Sequence, residues 1–478
     1  MFIVGIEPKA PGLHIFSKFK LPRLGLPLLL TIAQQMGHQC LIFCEDIAPI
    51  RWEIVRKADL VLLSTITPTA PRAYELIKEI KVKNPRAPVL IGGSHVTFLP
   101  KEALDEGADY VFRHEADQSF PQFLEWFTSP SRNSEELFKI LGLSFMVGDQ
   151  FQHNPDPALV DLDKLPTPDL DLIYGYKPSV IPLNTSRGCP YNCEICCVVR
   201  MFGRKFRFRS EEKVIKDIAY YKEKYGNKPD IFFTDDNFGA NRLRLRTLCQ
   251  TIIEKKLVGD YSAQVRLDLG NHPEDIALME RMGIRHVYIG YESINPKSLE
   301  EMDKRLNPDE MEGYTKVFHD NNIMIHGMWV FGFVHDTLKT IKDTVRACIK
   351  WRIETNQFLI LVPYPGTPVC VRLKREKRIF NWDWSEYDAH HVTFDPNNMT
   401  ACQLQIAVML QAMPKLYTFW QTTKIFIVNN WKIGMGFLRR SNWHPIREIK
   451  RNISTLLVRL WGKYATWRMK KPVKKYLR

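Results

Sequence analysis

Four of the chain's ten cysteines crowd into residues 189–197, in the stretch SRGCPYNCEICCVVR, and three of them have the spacing Cys189-x3-Cys193-x2-Cys196. Thiolates are the usual ligands of iron–sulfur clusters, and a cluster with four iron corners normally takes four of them. Three on one short loop leave one iron open, which a catalytic metal site requires and a structural one does not. The competing use of such cysteines is structural zinc. That would want a second ligand pair at a suitable distance, and the sequence offers no clear one. Cys197, adjacent to Cys196, is poorly placed to share the same metal. It reads as a buried small residue, as do Cys40 and Cys44 beside an expected strand. A chain of this size needs no disulfide staples, so the clustering favours a metal site in a reducing cytoplasm.

Such a loop needs a scaffold, and 478 residues are enough for two or three domains. Residues 1–127 alternate apolar, β-rich runs (FIVGI, QCLIF, DLVLLST, PVLIGG, YVFRH) with helical patterns at 25–37, 69–83 and 99–106. That alternation predicts an α/β domain with a doubly wound, Rossmann-like parallel sheet. Ligands of such sheets sit beyond the C-terminal strand ends, where Ser64, Thr65, Gly92 and Gly93 fall. Residues 128–181 are rich in Ser, Asn, Asp and Pro and read as a linker with one hairpin. From 182 to 370 strands and helices alternate again: six βα units (PLNTSR, DIFFTD, SAQVRL, HVYIGYE, MIHGMWVFGF, NQFLILVP), which predict a partial (β/α)6 TIM barrel. Residues 371–478 are expected to be mostly helical after a Trp-, Tyr- and His-rich stretch. No run of 18 uncharged apolar residues predicts a spanning helix, and MFIVGIEPKAPGL lacks the pattern of a secretory signal.

The cysteine motif follows the first barrel strand, and in this it resembles the radical S-adenosylmethionine (SAM) superfamily, whose CxxxCxxC loop sits at the same place. The resemblance implies a 4Fe-4S cluster on Cys189, Cys193 and Cys196, with SAM filling the open corner through its amino and carboxylate groups. It also implies that the following strand ends hold SAM. Asp235 and Asp236 would pair with its ammonium or accept from its ribose, with helix capping by Asp236 or Asn237 as the plainer use. Arg266 would meet its carboxylate or form a surface ion pair. Gly290 and Glu292 match the family's glycine-and-acid strand.

The first domain resembles the cobalamin-binding domain that precedes the barrel in one large branch of that superfamily. The matching stretches are PRLGLPLLLTIAQQMGHQC, DLVLLSTITPTAPRAYEL and LIGGSHVTFLPKEALDEGADYVFRHE. Ser64, Thr65, Thr67, Gly92, Gly93 and His95 are the expected cobalamin contacts, because small residues let backbone approach the corrin. Two positions depart from the family pattern: Ser94 stands where proline is frequent, and His114 where glycine is. The sequence has no DxHxxG motif, so no histidine of this domain is expected on cobalt; His38 is expected to be merely exposed. Methylthiotransferases, another branch with an N-terminal α/β domain, carry three further cluster cysteines there, whereas this domain has only Cys40 and Cys44.

Segments 328–337, 359–369 and 384–394 resemble the branch containing the hopanoid methylases and the anaerobic Mg-protoporphyrin cyclase. They place Tyr364, Tyr387, His390 and His391 in a substrate pocket or in packing between barrel and tail. The tail carries the charge: residues 438–478 hold 13 Lys or Arg against one acid, accounting for +12 of the chain's +14. Ile446, Ile449, Ile453, Leu456, Leu457, Leu460, Tyr464 and Trp467 recur at helical steps, with Arg447, Lys450, Arg451, Arg459, Lys463 and Arg468 around them. A basic amphipathic helix in 441–478 suits an anionic membrane surface; a solvated face on a docked helix is the plainer use. No second basic patch points to nucleic acid. The resemblance implies a cytoplasmic, peripheral enzyme fed by an electron donor such as flavodoxin or ferredoxin. Its activity would be C-methylation of an unactivated carbon of a lipid or other hydrophobic substrate, with ring formation or carbon–carbon coupling as the rival reaction and a non-catalytic corrin or cluster sensor as the rival class.

Overall fold

Period-two burial organises the first sheet. Along β1 (Phe2–Glu7), β2 (Gln39–Cys44), β3 (Leu60–Ser64), β4 (Val89–Gly92) and β5 (Tyr110–Phe112) alternate side chains enter different cores. Val4, Ile6, Val61, Leu63, Val89 and Ile91 pack on one face with the helix Ala70–Lys83. Ile3, Ile42, Leu62, Leu90 and Phe112 pack on the other with the helices Gly25–Gln35 and Ser119–Thr128. These five strands are parallel, in the order β2-β1-β3-β4-β5. The computed structural model describes residues 1–10, 12, 21–227, 229–418, 421–423 and 425, with 453, 455–457, 459–460 and 463–464.

The hairpin expected in the linker is β6 (Leu143–Val147) and β7 (Gln150–His153). It adds antiparallel to β5, extending the first sheet to seven strands. Leu143 and Phe145 anchor it in the same core as Phe112, so the first structural unit runs past residue 150.

The second sheet begins with β8 (Val180–Leu183). After the two-stranded ribbon β9 (Ser186–Arg187) and β10 (Arg207–Phe208) come β11 (Asp230–Phe233), β12 (Tyr261–Val265), β13 (Ile284–Glu292), β14 (Met324–Phe331) and β15 (Thr355–Ile360). Six parallel strands in the order β15-β14-β13-β12-β11-β8 make a partial barrel with β15 and β8 as its edges. A helix follows each barrel strand, among them Glu211–Tyr225, Arg242–Glu254, Pro273–Met282 and Leu338–Lys350. Asp, Ser, Asn or Thr caps many of the helices; Ser210, Asn241 and Thr337 each accept a backbone N–H of the first turn.

Beyond the barrel, Ala401–Leu416 is helical, with a π-helical stretch at Ile406–Ala412. The described residues from 453 to 464 are also helical. Here one expectation is corrected. Arg459 does not belong to a solvent-facing positive surface: it is 2% exposed, bound to the carbonyls of Glu354 (2.5 Å) and Leu416 and to Thr422 Oγ1 (3.2 Å). A long side chain buried against three acceptors anchors its helix instead. Ile453, Leu457, Leu460 and Tyr464 are exposed on that segment. Ile446, Ile449, Trp467, Arg447, Lys450, Arg451 and Arg468 lie outside the described residues.

Candidate active site between the two sheets

The cysteine loop spans residues 188–206 and is closed at its base by the β9–β10 ribbon, in which Arg187 pairs with Arg207. Gly188 makes that closure possible. Its φ of +86° suits glycine, and a Cβ there would stand 2.5 Å from the Lys205 carbonyl oxygen. Cys189, Cys193 and Cys196 are all half-buried and free of disulfides. Burial pushes all three thiols up, Cys196 to about 12, and Cys193 feels Lys304 and Arg266 while Cys189 and Cys196 feel Asp236. Backbone N–H groups of Tyr191 and Val198 point at Cys189 and Cys196, the second at 3.4 Å. Metal binding here must release protons, and the N–H donors then stabilise the thiolates. Among the described residues no three His, Cys, Asp or Glu side chains converge on a point where they would hold one metal ion. Three free thiols on one loop, each able to bind a different iron, fit the cluster. Cys197 is half-buried beside Asp236 and Tyr364, and Cys40 and Cys44 lie in the first domain.

The structure separates the two adjacent acids. Asp235 is fully buried and accepts from Thr185 N–H (2.9 Å), Thr185 Oγ1 (2.9 Å) and Ser186 Oγ (2.6 Å), with Arg244 behind it. Its oxygens hold the β8–β9 turn that launches the cysteine loop. Asp236 is instead exposed, close enough to Cys189 and Cys196 for its charge to be felt there: the protein crowded around its carboxyl and the neighbouring Asp235 push it up to about 7, opposed by Arg187. A cationic ligand is what such a carboxyl lacks. Arg266 is 8% exposed, stacked 3.8 Å over the Tyr191 ring and bonded to the Lys304 carbonyl (2.7 Å) and Asp268 (3.0 Å). It is therefore an interior clamp on the loop rather than a surface pair. Glu292, at φ +63° after a register shift in β13, turns back over Gly290 to meet Lys304 Nζ at 2.8 Å. Sequence reasoning missed Tyr191 and Lys304. Tyr191 lies inside the motif, but nothing in the local pattern marks Lys304.

In the first domain the expected contacts fall into two groups. Ser64, Gly92 and Gly93 are half-exposed at the ends of β3 and β4, and Ile66 is exposed beside them. They leave backbone open to a flat, bulky cofactor, and so the strand ends fit cobalamin. Thr65, Thr67 and His95 are buried. Thr65 bonds Thr69 (3.0 Å), and His95 bonds Thr67 (3.3 Å) and Glu102 (3.1 Å). Glu102 also accepts from Tyr74 (2.9 Å) and from Trp384 (3.0 Å), which reaches in from the segment after the barrel. These three residues shape the strand-end loops from beneath. Gly93, at φ +113°, brings the loops together, since a Cβ would stand 2.1 Å from the Thr65 carbonyl oxygen. His38 lies at the opposite end of this sheet, just before β2, and is half-buried rather than exposed.

The two sets of strand ends meet. His114 Nδ1 lies 3.3 Å from the Met201 carbonyl in the cysteine loop, and the Gly366 turn packs against the Phe98 ring. Tyr364 is half-buried near Cys197 and Asp388, whose carboxylate accepts from the His391 ring (3.0 Å) and the His390 backbone (2.8 Å). Tyr387 stands apart: it is fully buried, bonded to the Asn381 carbonyl (2.9 Å) and packed edge-on to Trp384. It serves packing between this segment and the first domain.

Comparisons with known proteins match two segments of the chain. The model of the B12 binding domain matches residues 16–124 and that of the Radical SAM superfamily residues 183–348. An uncharacterised methyltransferase of Pyrococcus horikoshii is 30% identical over 78% of this chain and 82% of its own length. The bacteriochlorophyllide d C-12(1)-methyltransferase of Chlorobaculum tepidum is 27% identical over 71% of each chain. The hopanoid C-3 methylase and the anaerobic magnesium-protoporphyrin IX monomethyl ester cyclase are also among the relatives. The fold is shared with the radical SAM methyltransferase TsrM of Kitasatospora setae, solved with cobalamin and an iron–sulfur cluster, at a TM-score of 0.66 over 78% of each chain and 16% identity.

Proposed function

Because this chain belongs to the cobalamin-dependent radical SAM enzymes, with a 4Fe-4S cluster, SAM and cobalamin as its cofactors, we propose that it methylates an unactivated carbon of a lipid or other hydrophobic substrate. One observation carries the reading: the cysteine loop docks on the strand-end face of the first sheet, through Met201 and His114. A substrate held between the two sets of strand ends would thus be bordered by both cofactor sites. When bound, the cluster and SAM supply a radical that takes hydrogen from carbon, and cobalamin supplies the methyl group.

The chain's own residues bind, orient and exclude water. Cys189, Cys193 and Cys196 hold the cluster. Asp236, Arg266 and the Lys304–Glu292 pair lie about the cysteine loop and would match the ammonium and carboxylate of an amino acid bound there. Ser64, Gly92 and Gly93 offer the corrin a surface with little side chain above it, and Ile66 adds an exposed apolar side chain beside them. Tyr364, Asp388 and His391 border the substrate space. Methylation is favoured over ring formation because the relatives named above at the higher identities are methyltransferases. A reductant such as flavodoxin or ferredoxin supplies the electron. The exposed Ile453, Leu457, Leu460 and Tyr464, in a tail of high positive charge, support peripheral attachment to an anionic cytoplasmic membrane face. No helix among the described residues is long and apolar enough to cross a membrane.

The test is anaerobic incubation of reconstituted, reduced protein with methyl-labelled SAM and lipid extracts. Labelled methyl in a product supports the proposal. A changed product without label points to cyclisation or coupling, and absence of 5′-deoxyadenosine points to a non-catalytic sensor. Cys193→Ala is expected to abolish 5′-deoxyadenosine formation, whereas Cys197→Ser retains it.

A further inference from the structure

The four residues His114 to Asp117 follow β5, at the strand-end face of the first sheet, and three of them touch the cysteine loop or its stem. Arg187, on the incoming stem, forms two hydrogen bonds with Asp117 (2.6 and 3.1 Å) and lies 3.4 Å from Glu115. Arg207, on the outgoing stem, grips both oxygens of Glu115, one at 2.9 Å, and donates to the Val160 carbonyl (2.9 Å). Met201, at the far side of the loop, meets His114. The charged side chains are scarcely exposed: Arg187 15%, Arg207 9%, Glu115 3% and Asp117 6%.

Two arginines directly opposite each other on a two-stranded ribbon repel, and a ribbon this short has little pairing energy to resist them. The ribbon therefore depends on acids that only the first domain supplies. Conversely, Glu115 and Asp117 are buried carboxylates whose balancing charge comes only from the ribbon's arginines among the ion pairs of the described residues. Guanidinium–carboxylate forks fix orientation as well as distance. The contact thus has the form of a two-point fixture, one point on each stem of the loop that carries all three cluster cysteines.

We infer that Arg187 and Arg207, gripping Asp117 and Glu115, are positioning residues that set the placement of the cluster loop relative to the strand ends of the first domain. This rests on the cofactor assignment above only for its consequence. Separation and angle between the open iron corner and the corrin would be fixed by these four side chains, and not by the chain connecting the domains, which runs through the 26 mostly irregular residues 154–179 between β7 and β8.

The full-length protein, reconstituted with iron, sulfide and hydroxocobalamin, is compared with Asp117→Asn and with the Glu115→Gln, Asp117→Asn double variant. These changes remove charge while keeping shape, and they touch no cofactor contact named above. Deuterium uptake by peptides covering 188–206 is expected to quicken about tenfold in the double variant, with β1 and β3 unchanged. The magnetic broadening between cob(II)alamin and the reduced cluster is expected to weaken while iron and corrin contents stay level. Arg187→Asp should show the same loss, and Arg187→Asp with Asp117→Arg should recover part of it, which a merely destabilised fold would not. Unchanged uptake in the loop, or unchanged broadening at full cofactor content, overturns the inference. If wild-type protein takes up no corrin, the cofactor reading fails, and loop uptake alone decides the clamp. If the double variant does not fold, the single Asp117→Asn carries both measurements.

Discussion

Lys304 Nζ lies 2.8 Å from Glu292 Oε1, and both atoms sit over the backbone of Gly290. A Cβ at Gly290 would be 2.3 Å from that oxygen and 3.1 Å from that nitrogen. The glycine is required by the ion pair above it rather than by its own backbone. The pair in turn faces the cysteine loop, because Lys304 is the leading charge felt by Cys193.

Gly290→Ala is therefore expected to push the Glu292 and Lys304 ends aside without unfolding β13, since the clash is with flexible side-chain tips. SAM affinity should fall about tenfold, roughly 1.4 kcal/mol, with little change in melting temperature. Equilibrium dialysis with labelled SAM and a thermal melt check the two halves. An unaltered affinity would remove the pair from the SAM site.

The neighbouring acids Asp235 and Asp236 should behave oppositely. Asp235→Ala strips three donated hydrogen bonds of their acceptor and leaves Arg244 buried without its nearest counter-charge. It should cost on the order of 3 kcal/mol of stability. Asp236→Asn keeps the volume and removes only charge, so stability should hold while SAM binding weakens at least about tenfold. Calorimetry and dialysis on both variants decide the assignment. Equal stability losses would refute it.

That contrast also shows what a sequence can reveal here. The cluster ligands are legible because their spacing is local and their chemistry specific. The strands are legible because period-two apolar runs leave few alternatives. Which of two adjacent acids turns inward is decided by Thr185 and Ser186, about fifty residues away, and no local pattern records it. His95 reads as a cofactor contact by its position, but Glu102 and Trp384, the latter from the segment after the barrel, occupy its surroundings. Arg459 reads as surface charge because helical periodicity places it beside the apolar stripe. Only the carbonyls of Leu416 and Glu354 reveal that its side of the helix is buried.

Glu354 gives a pH prediction. Burial by itself would raise this carboxyl, but the His319 ring (3.1 Å) and the Ile325 N–H (3.0 Å) outweigh it and hold it down to about 2, against 4.5 when unfolded. A depressed acid contributes stability above its unfolded value and loses it as pH falls toward its folded value. The window is thus pH 4.5 down to about 2, and the contribution is roughly 3 kcal/mol. Glu354→Gln should lower stability at pH 7 and flatten the acid limb in that window, as urea melts at stepped pH would show. An unchanged acid limb would count against the pairing.

The tail offers the last prediction. Arg459 and Thr455 fix one side of the helical segment against Glu354 and Met324, at the start of β15 and β14. The cysteine loop and Asp236 lie at the other end of the barrel strands. Ile453, Leu457, Leu460 and Tyr464 are thereby left facing away from the barrel, within a stretch of sequence rich in Lys and Arg. Apolar insertion and charge should then contribute separately to membrane attachment. Leu457→Glu with Leu460→Glu is expected to reduce sedimentation with anionic liposomes at every salt concentration. In the wild type, raising salt should weaken binding only in part, because screening leaves apolar burial intact. Since both leucines are exposed, the variant should keep the wild-type melting temperature. Liposome binding that survives the two substitutions would mean that the segment is simply a solvated surface of the barrel.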